Sequence, residues 1–216
     1  MIQSKKLMVI STLLLITGGL SACEKSDGNS QNTVGNNQPS QGISKPAVQT
    51  SNNQETYLIT ASGIGPIKLG ATLDEARKSF PTASFERSSD GDGVALVNVR
   101  LGKEDLMTLY ADEVDSEAPI DWTKKIINIE TFSTFCNTEN GIHPGSNVLD
   151  VEKILGKTKE IEKSEIESRE YIEFANQPKT IVFRLDYTGI FEGNAMKTTK
   201  FDPKGKIHSI MVFSKN

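Results

Sequence analysis

Two stretches of this chain carry the same pattern of residues, one about 75 positions after the other. The first begins at Thr72 and the second at Asn147, and both residues are good helix N-caps. Apolar residues follow each cap at helical spacing: Leu73, Ala76 and Phe80 in the first stretch, and Val148, Val151 and Leu155 in the second. Internal repetition constrains a fold strongly, because each copy is expected to form the same unit.

The similarity continues to the end of each stretch. Ile126–Ser133 (IINIETFS) resembles Ile207–Ser214 (IHSIMVFS), and both have the β-branched and aromatic bias of strands. The same bias predicts six further strands, at 83–87, 94–100, 106–111, 169–174, 180–187 and 197–201. Asp90–Gly93 is typical of a hairpin turn.

The pattern therefore predicts two similar halves, residues 56–134 and 135–216. Each half is expected to hold a short helix packed on an antiparallel meander sheet, which places the fold in the α+β class. The pattern leaves open whether the two sheets join edge to edge or flank one core.

The N-terminal residues 1–22 have the composition of a signal peptide. Lys5 and Lys6 provide a positive start, and Leu7–Leu20 provide an apolar core. That core is shorter than the roughly 20 apolar residues that a membrane-spanning helix needs. We therefore expect these residues to be removed after export.

The run Leu20-Ser21-Ala22-Cys23 closes this leader. It resembles the lipobox of bacterial lipoproteins, which implies cleavage before Cys23 and acylation of its thiol. Glu24 rather than Asp follows, and in a Gram-negative cell the resemblance then implies the periplasmic face of the outer membrane. Two or more acyl chains, palmitate among them, hold a protein firmly on a bilayer.

Residues 23–55 are rich in Asn, Gln, Ser, Thr and Gly and poor in large apolar residues. Such a segment buries too little apolar surface to fold, so it is interpreted as a flexible linker. A coil of this length spans about 30 Å on average.

Charge and composition exclude several kinds of site. Removing residues 1–22 takes away Lys5 and Lys6, which leaves 22 basic against 28 acidic residues and a net charge near −6. That balance argues against nucleic acid as a partner. With Cys23 acylated, Cys136 has no second thiol with which to form a disulfide. Two histidines and one thiol are too few ligands for a zinc site. No metal or cofactor is therefore expected.

Two segments carry a second resemblance. Thr60–Ala76 (TASGIGPIKLGATLDEA) and Phe135–Ser146 (FCNTENGIHPGS) are similar to the motif of the small lipoprotein in the outer-membrane β-barrel assembly machine. A tandem of such units also resembles the plan of the β-lactamase inhibitory protein. The resemblance implies a binding or assembly function rather than catalysis.

The sequence thus predicts a lipid-anchored, non-catalytic envelope protein that binds another envelope protein. A candidate partner-binding loop is the acidic run that ends in an aromatic residue: Asp112, Glu113, Asp115, Glu117, Asp121 and Trp122. The alternatives are an inhibitor of a secreted or periplasmic enzyme, a protein that captures a small apolar ligand, and an enzyme that uses Cys136 and His143.

Overall fold

A computed structural model describes residues 56–165 and 169–214, which lie in one compact unit, Thr50–Asn216. The leader, Cys23 and the linker lie outside the described residues. The strands are β1 (Tyr57–Thr60), β2 (Gly63–Ile64), β3 (Ile67–Lys68), β4 (Ser84–Ser89), β5 (Ala95–Leu101), β6 (Glu104–Ala111), β7 (Ile126–Thr131), β8 (Cys136–Thr138), β9 (Thr158–Lys163), β10 (Glu170–Phe174), β11 (Ile181–Leu185), β12 (Lys197–Thr198) and β13 (Ile207–Phe213). The helices are α1 (Leu73–Ser79) and α2 (Val148–Leu155).

Nine of these strands form one antiparallel sheet in the order β12-β9-β10-β11-β13-β7-β6-β5-β4. The middle of the sheet is the pairing of β7 with β13, which we call the junction. There Thr131 lies opposite Ile210 and Ile129 opposite Val212. The sheets of the two halves therefore join edge to edge.

The remaining strands form a smaller sheet in the order β3-β2-β1-β8. Its β1 and β8 are parallel, with Tyr57 opposite Cys136. Short turns link β1, β2 and β3, and Gly63 is required there because a Cβ atom would lie 2.1 Å from the Ile67 carbonyl oxygen.

Both helices begin at the predicted caps. Thr72 and Glu75 form a capping box, in which the Glu75 amide donates to the Thr72 hydroxyl (3.1 Å) and the Thr72 amide donates to the Glu75 carboxylate (2.8 Å). The Asn147 side chain accepts from the Leu149 amide at 2.9 Å. The helices are nevertheless short, with 7 and 8 residues.

One continuous core lies between the two sheets and the helices. One face of the nine-stranded sheet contributes Val97, Leu109, Ile129, Val212 and Ile181, which lie side by side on neighbouring strands and are all buried. The small sheet and the helices contribute the other side of the core: Ile59, Ile64, Ile67, Leu73, Ala76, Val148 and Val151. The opposite, or outer, face of the large sheet carries polar and aromatic residues.

The α+β prediction was wrong, because the described fold is mostly β: a nine-stranded and a four-stranded sheet with only two short helices. A helix of 7 or 8 residues is about 11 Å long, too short to cover a sheet of four strands. The small sheet covers the rest of the core instead. Its strands come from segments 57–68 and 136–138, which were not predicted to be strands.

The positions of the predicted strands agree with the structure more closely than the predicted fold class does. Eight of them have counterparts in β4, β5, β6, β7, β10, β11, β12 and β13, with ends shifted by a few residues. Thr158–Lys163 (TKEIEK) was missed, because charged residues occupy most of its positions and only Ile161 is buried.

Equivalent backbone bonds join each helix start to its own last strand. The Gly70 amide donates to the Ile126 carbonyl at 2.8 Å, and the Gly145 amide donates to the Ile207 carbonyl at 2.7 Å. Isolated bridges pair Thr72 with Lys125 in the same way, and Asn147 with Lys206. The sequence similarity thus coincides with recurring contacts, while the boundary between 134 and 135 stays a prediction.

Candidate functional site

The outer face of the nine-stranded sheet holds a buried charge at its middle. Glu130 lies on β7 and is only 2% exposed. Its neighbours across the sheet are Thr108 on β6 and Met211 on β13. A buried carboxylate is costly unless its oxygens are bonded, so its partners define what this part of the sheet can do.

Three side chains from three other strands donate to this carboxylate. The Tyr110 hydroxyl donates to Oε2 at 2.9 Å, and the Ser209 hydroxyl donates to Oε1 at 2.5 Å. Arg184 Nη1 donates to Oε1 at 3.3 Å and supplies the opposite charge. Burial raises the pKa of the Tyr110 phenol, and the negative charge of Glu130 raises it further, so Tyr110 remains a donor.

The Arg184 guanidinium also lies against an exposed aromatic ring. Its central carbon is 5.6 Å from the centre of the Phe132 ring, within cation–π range. The Phe132 ring meets the His208 ring edge to face at 5.3 Å. Phe132 remains 46% exposed, so the cluster places an aromatic surface at the end of β7.

Next to Phe132 lies a groove of about 500 Å³, which we call the Tyr187 groove. Its lining mixes aromatic rings with both signs of charge: Phe132, Tyr187, His208, Asp186, Asp202, Lys204 and Lys206. The turn before β13 and the loop after β11 form its sides. The groove thus presents aromatic rings with charged side chains around them.

Tyr187 has an unusual backbone. Its φ is +47°, the one non-glycine positive φ among residues 56–165 and 169–214, and the residue is 76% exposed. A bulky residue in this left-handed region is strained by about 1–2 kcal/mol. Such strain persists only where the surroundings impose it, and it occurs preferentially at functional sites.

A buried carboxylate imposes this conformation. Glu170, which is 4% exposed, accepts hydrogen bonds from the amides of Thr188 and Gly189, both at 2.7 Å. The Asp202 amide also donates to the Thr188 carbonyl at 2.9 Å. The loop after β11 is therefore held rigidly while the Tyr187 ring points into solvent.

The predicted acidic loop lies at the other end of the large sheet, because it precedes β7 whereas the Tyr187 groove precedes the antiparallel β13. Asp112, Asp115, Glu117 and Asp121 are exposed. Glu113 instead pairs with the Arg87 guanidinium, with Nη2 donating to Oε1 at 2.9 Å, and accepts from the Asp121 amide at 2.6 Å. These bonds from Arg87 lower the pKa of the Glu113 carboxyl.

Trp122 closes this loop against the protein. Its ring meets Phe85 at 6.3 Å and lies 4.2 Å from the Arg77 guanidinium carbon, and the residue is half-buried. These contacts stabilise the loop. The role of Trp122 as an anchor for a partner stays a prediction.

Cys136 and His143 are not joined by any hydrogen bond in the described part of the chain. The Cys136 thiol is fully buried, its pKa is raised by that burial, and it lies 3.8 Å from the Leu106 carbonyl oxygen. His143 Nδ1 lies 2.7 Å from the Pro144 carbonyl oxygen. A buried thiol with a raised pKa is a poor nucleophile, which disfavours the Cys–His chemistry.

Within the described ranges 56–165 and 169–214, no helix is long and apolar enough to cross a bilayer. The same ranges contain no cluster of three or more His, Cys, Asp or Glu residues placed to hold a metal ion.

Sequence reasoning missed Glu130, Arg184, Phe132 and Tyr187. One signal was available, because Glu130 is the one charged residue in the strand Ile126–Thr131. A charge in the middle of a central strand indicates a buried pair or a functional residue. Tyr187 gave no comparable signal, since its backbone strain depends on the distant Glu170.

Comparison with known proteins gives a structural likeness but no family. No family model matches the chain, and no curated protein matches it. A crystal structure of the uncharacterized protein yfeY from Escherichia coli is similar over 73% of this chain and 99% of that chain, with 12% identity and a TM-score of 0.49. At this level the likeness carries no argument about function.

Proposed function

We propose that this protein is a lipid-anchored, non-catalytic binding protein of the cell envelope, and that it docks another protein at the Tyr187 groove. The observation that supports this most directly is the strained and exposed Tyr187, held in place by Glu170. Tyrosine and arginine are the residue types most often found at the energetic centres of protein interfaces. A rigidly held tyrosine loses little entropy on binding, which favours affinity.

Phe132 and Arg184 extend the same surface onto the outer face of the sheet. Arg184 donates a hydrogen bond to Glu130 and lies against the Phe132 ring. Both side chains are therefore ordered before a partner binds. The groove also carries charges of both signs, from Asp186, Asp202, Lys204 and Lys206. A matching partner therefore has an apolar centre surrounded by a rim of polar and charged groups.

The experiment compares capture of a partner by variants of the groove. Wild-type protein, Tyr187→Asn, Phe132→Ala and the control Ile154→Ala are expressed with a tag, crosslinked in intact cells and recovered. Ile154 is a matched control because it is an exposed apolar residue on α2, outside the groove. We expect one envelope protein to be recovered with wild type and Ile154→Ala and lost with both groove variants.

The loss is expected to correspond to a weakening of at least about 30-fold, the effect of a central interface residue. Asparagine tolerates the left-handed backbone, so Tyr187→Asn should be as stable as wild type or more stable by up to about 1 kcal/mol. Equal recovery with Tyr187→Asn would contradict the docking site. A clear loss of stability would show instead that Tyr187 has a structural role.

The acidic loop is tested separately. Replacing Asp112, Asp115, Glu117 and Asp121 by Asn or Gln retains Glu113 and Trp122, which hold the loop in place. Reduced recovery of the same partner would support the loop as a second contact. Unchanged recovery would remove the loop from the binding surface.

The lipid anchor is tested by Cys23→Ser. We expect this variant to leave the membrane fraction, because the acyl chains alone provide stable attachment. Asn29→Ser, a small change in the same segment, should remain on the membrane. A membrane-bound Cys23→Ser variant would contradict anchoring at this residue.

A further inference from the structure

A second, more enclosed cavity of about 270 Å³ lies where the small sheet meets β11 and the end of α2. It shares no lining residue with the Tyr187 groove. Its walls are the buried apolar side chains Ile59, Ile142, Leu155, Ile181 and Phe183, and the half-exposed Leu58 also lines it.

The lining decides what can occupy this cavity. The apolar side chains of its inner walls offer water no hydrogen bonds, so an apolar group is favoured against them. Side chains around an empty space also lack packing partners, and a bound apolar group supplies them. At about 30 Å³ per methylene, the volume a water molecule takes in the liquid, the space holds about nine carbon atoms.

The polar side chains in the lining differ in whether they already have a hydrogen-bond partner. The Thr60 hydroxyl donates to the Gly63 carbonyl at 3.1 Å, and the Thr138 hydroxyl accepts from the Ile142 amide at 3.0 Å, so both are already engaged. Glu139 is exposed, is the one charged residue of the lining, and its carboxylate has no partner among the described residues. A carboxylate at this position repels an anionic group and attracts a cationic one.

We propose that this cavity binds a single unbranched alkyl chain of about eight carbons, and that Glu139 selects a cationic or neutral polar head over an anionic one. The chain occupies the space between Ile59, Ile142 and Ile181, and its head lies beside Glu139. This site is independent of the Tyr187 groove, so either can be disproved without the other.

The test uses residues 50–216, which contain every described element and one continuous core. Octylammonium, octan-1-ol and octanoate are titrated separately while the isoleucine methyl resonances are followed. We expect saturable shifts at Ile59, Ile142 and Ile181, with octylammonium and octan-1-ol binding more tightly than octanoate. Butylammonium should bind about 200-fold more weakly than octylammonium, at about fourfold per methylene removed.

Two pairs of variants locate the site. Ala61→Trp places a large ring at an exposed lining position and should abolish the shifts, whereas Ala195→Trp, at an exposed position elsewhere, should not. Glu139→Gln should make the affinity for octanoate similar to that for octylammonium. The exposed control Glu104→Gln should leave the two affinities different, as in the wild type.

Three results would overturn the proposal. The first is shifts at the exposed Ile127 and Ile190 that match those at the cavity, since binding would then be non-specific. The second is undiminished binding by a folded Ala61→Trp variant. The third is octanoate binding as tightly as octylammonium to the wild type, which would remove the role of Glu139.

Discussion

At the scale of single residues, Glu130 matters most because its bonds cross the junction. It lies on β7, and it accepts from Tyr110 on β6, Ser209 on β13 and Arg184 on β11. Four strands from both halves therefore meet at one carboxylate. Within the sheet this group fixes the position of Arg184, and through Arg184 it orders the exposed Phe132.

We expect Glu130→Ala to lower the free energy of unfolding by about 3 kcal/mol, because it leaves Arg184 without its opposite charge and the hydroxyls of Tyr110 and Ser209 without an acceptor. Urea denaturation measures this change. The control Glu173→Ala removes an exposed ion pair with Lys159 on the same sheet and should cost under about 1 kcal/mol. Equal effects from both variants would contradict a special role for Glu130.

Glu113 gives a prediction about pH. Its folded pKa is lowered by the hydrogen bonds from Arg87, so this interaction contributes stability above the unfolded pKa of about 4.3 and loses it as the pH falls through the lower folded value. We expect Glu113→Gln to be less stable than wild type at pH 7.

The stability difference should shrink as the pH falls below about 4, because wild-type Glu113 then becomes neutral as well. Urea midpoints at pH 7, 5, 4 and 3 measure it. Glu117→Gln, in the same loop but exposed, serves as control. A difference that stays constant from pH 7 to pH 3 would contradict the pairing with Arg87.

At the scale of elements, the two helices depend on their caps, because each has only two turns. We expect Thr72→Ala and Asn147→Ala each to lower the free energy of unfolding by about 1 kcal/mol. Thermal unfolding measures both. Thr82→Ala, at an exposed turn position after α1, should have little effect, and an equal loss there would show that the caps are unimportant.

The loop after β11 shows how one element positions another. Glu170 on β10 binds two amides of this loop, so a strand residue determines how Tyr187 is presented. The acidic loop before β7 is held in a similar way by Arg87 on β4. In both loops, the side chain of a charged strand residue provides hydrogen bonds in place of the regular backbone bonds that loops lack.

At the scale of the whole molecule, the junction joins the strands of the two predicted halves into one sheet. The buried row of Leu109, Ile129, Val212 and Ile181 runs through it without a break. We expect one unfolding transition, seen at the same urea concentration by Trp122 fluorescence in the first half and by amide exchange of β10 and β11 in the second.

Separate transitions would show that the halves are stable independently. The variant Ile129→Ala tests the same point, because it opens a cavity at the junction and should shift both probes together by about 3 kcal/mol. A shift in the Trp122 signal alone would contradict a shared core.

Much of the local structure follows from nearby residues. The caps Thr72 and Asn147, the apolar spacing after them, and the β-branched and aromatic bias of the strands were sufficient to predict both helices and most strands of the large sheet. These features depend on neighbours a few positions away, so they can be recognised without the fold. The predicted signal peptide, lipobox and linker likewise rest on local composition, and they stay predictions.

The tertiary structure decided the rest. The sequence could not show that β7 pairs with β13, that segments 57–68 and 136–138 form a second sheet, or that Glu170 holds Tyr187 in a strained conformation. Each of these depends on residues far apart in the chain, and strand pairing between distant segments leaves little mark on local composition. The sequence by itself determined the repeated residue pattern and the two helix starts, whereas only long-range pairing created the single large sheet and the groove.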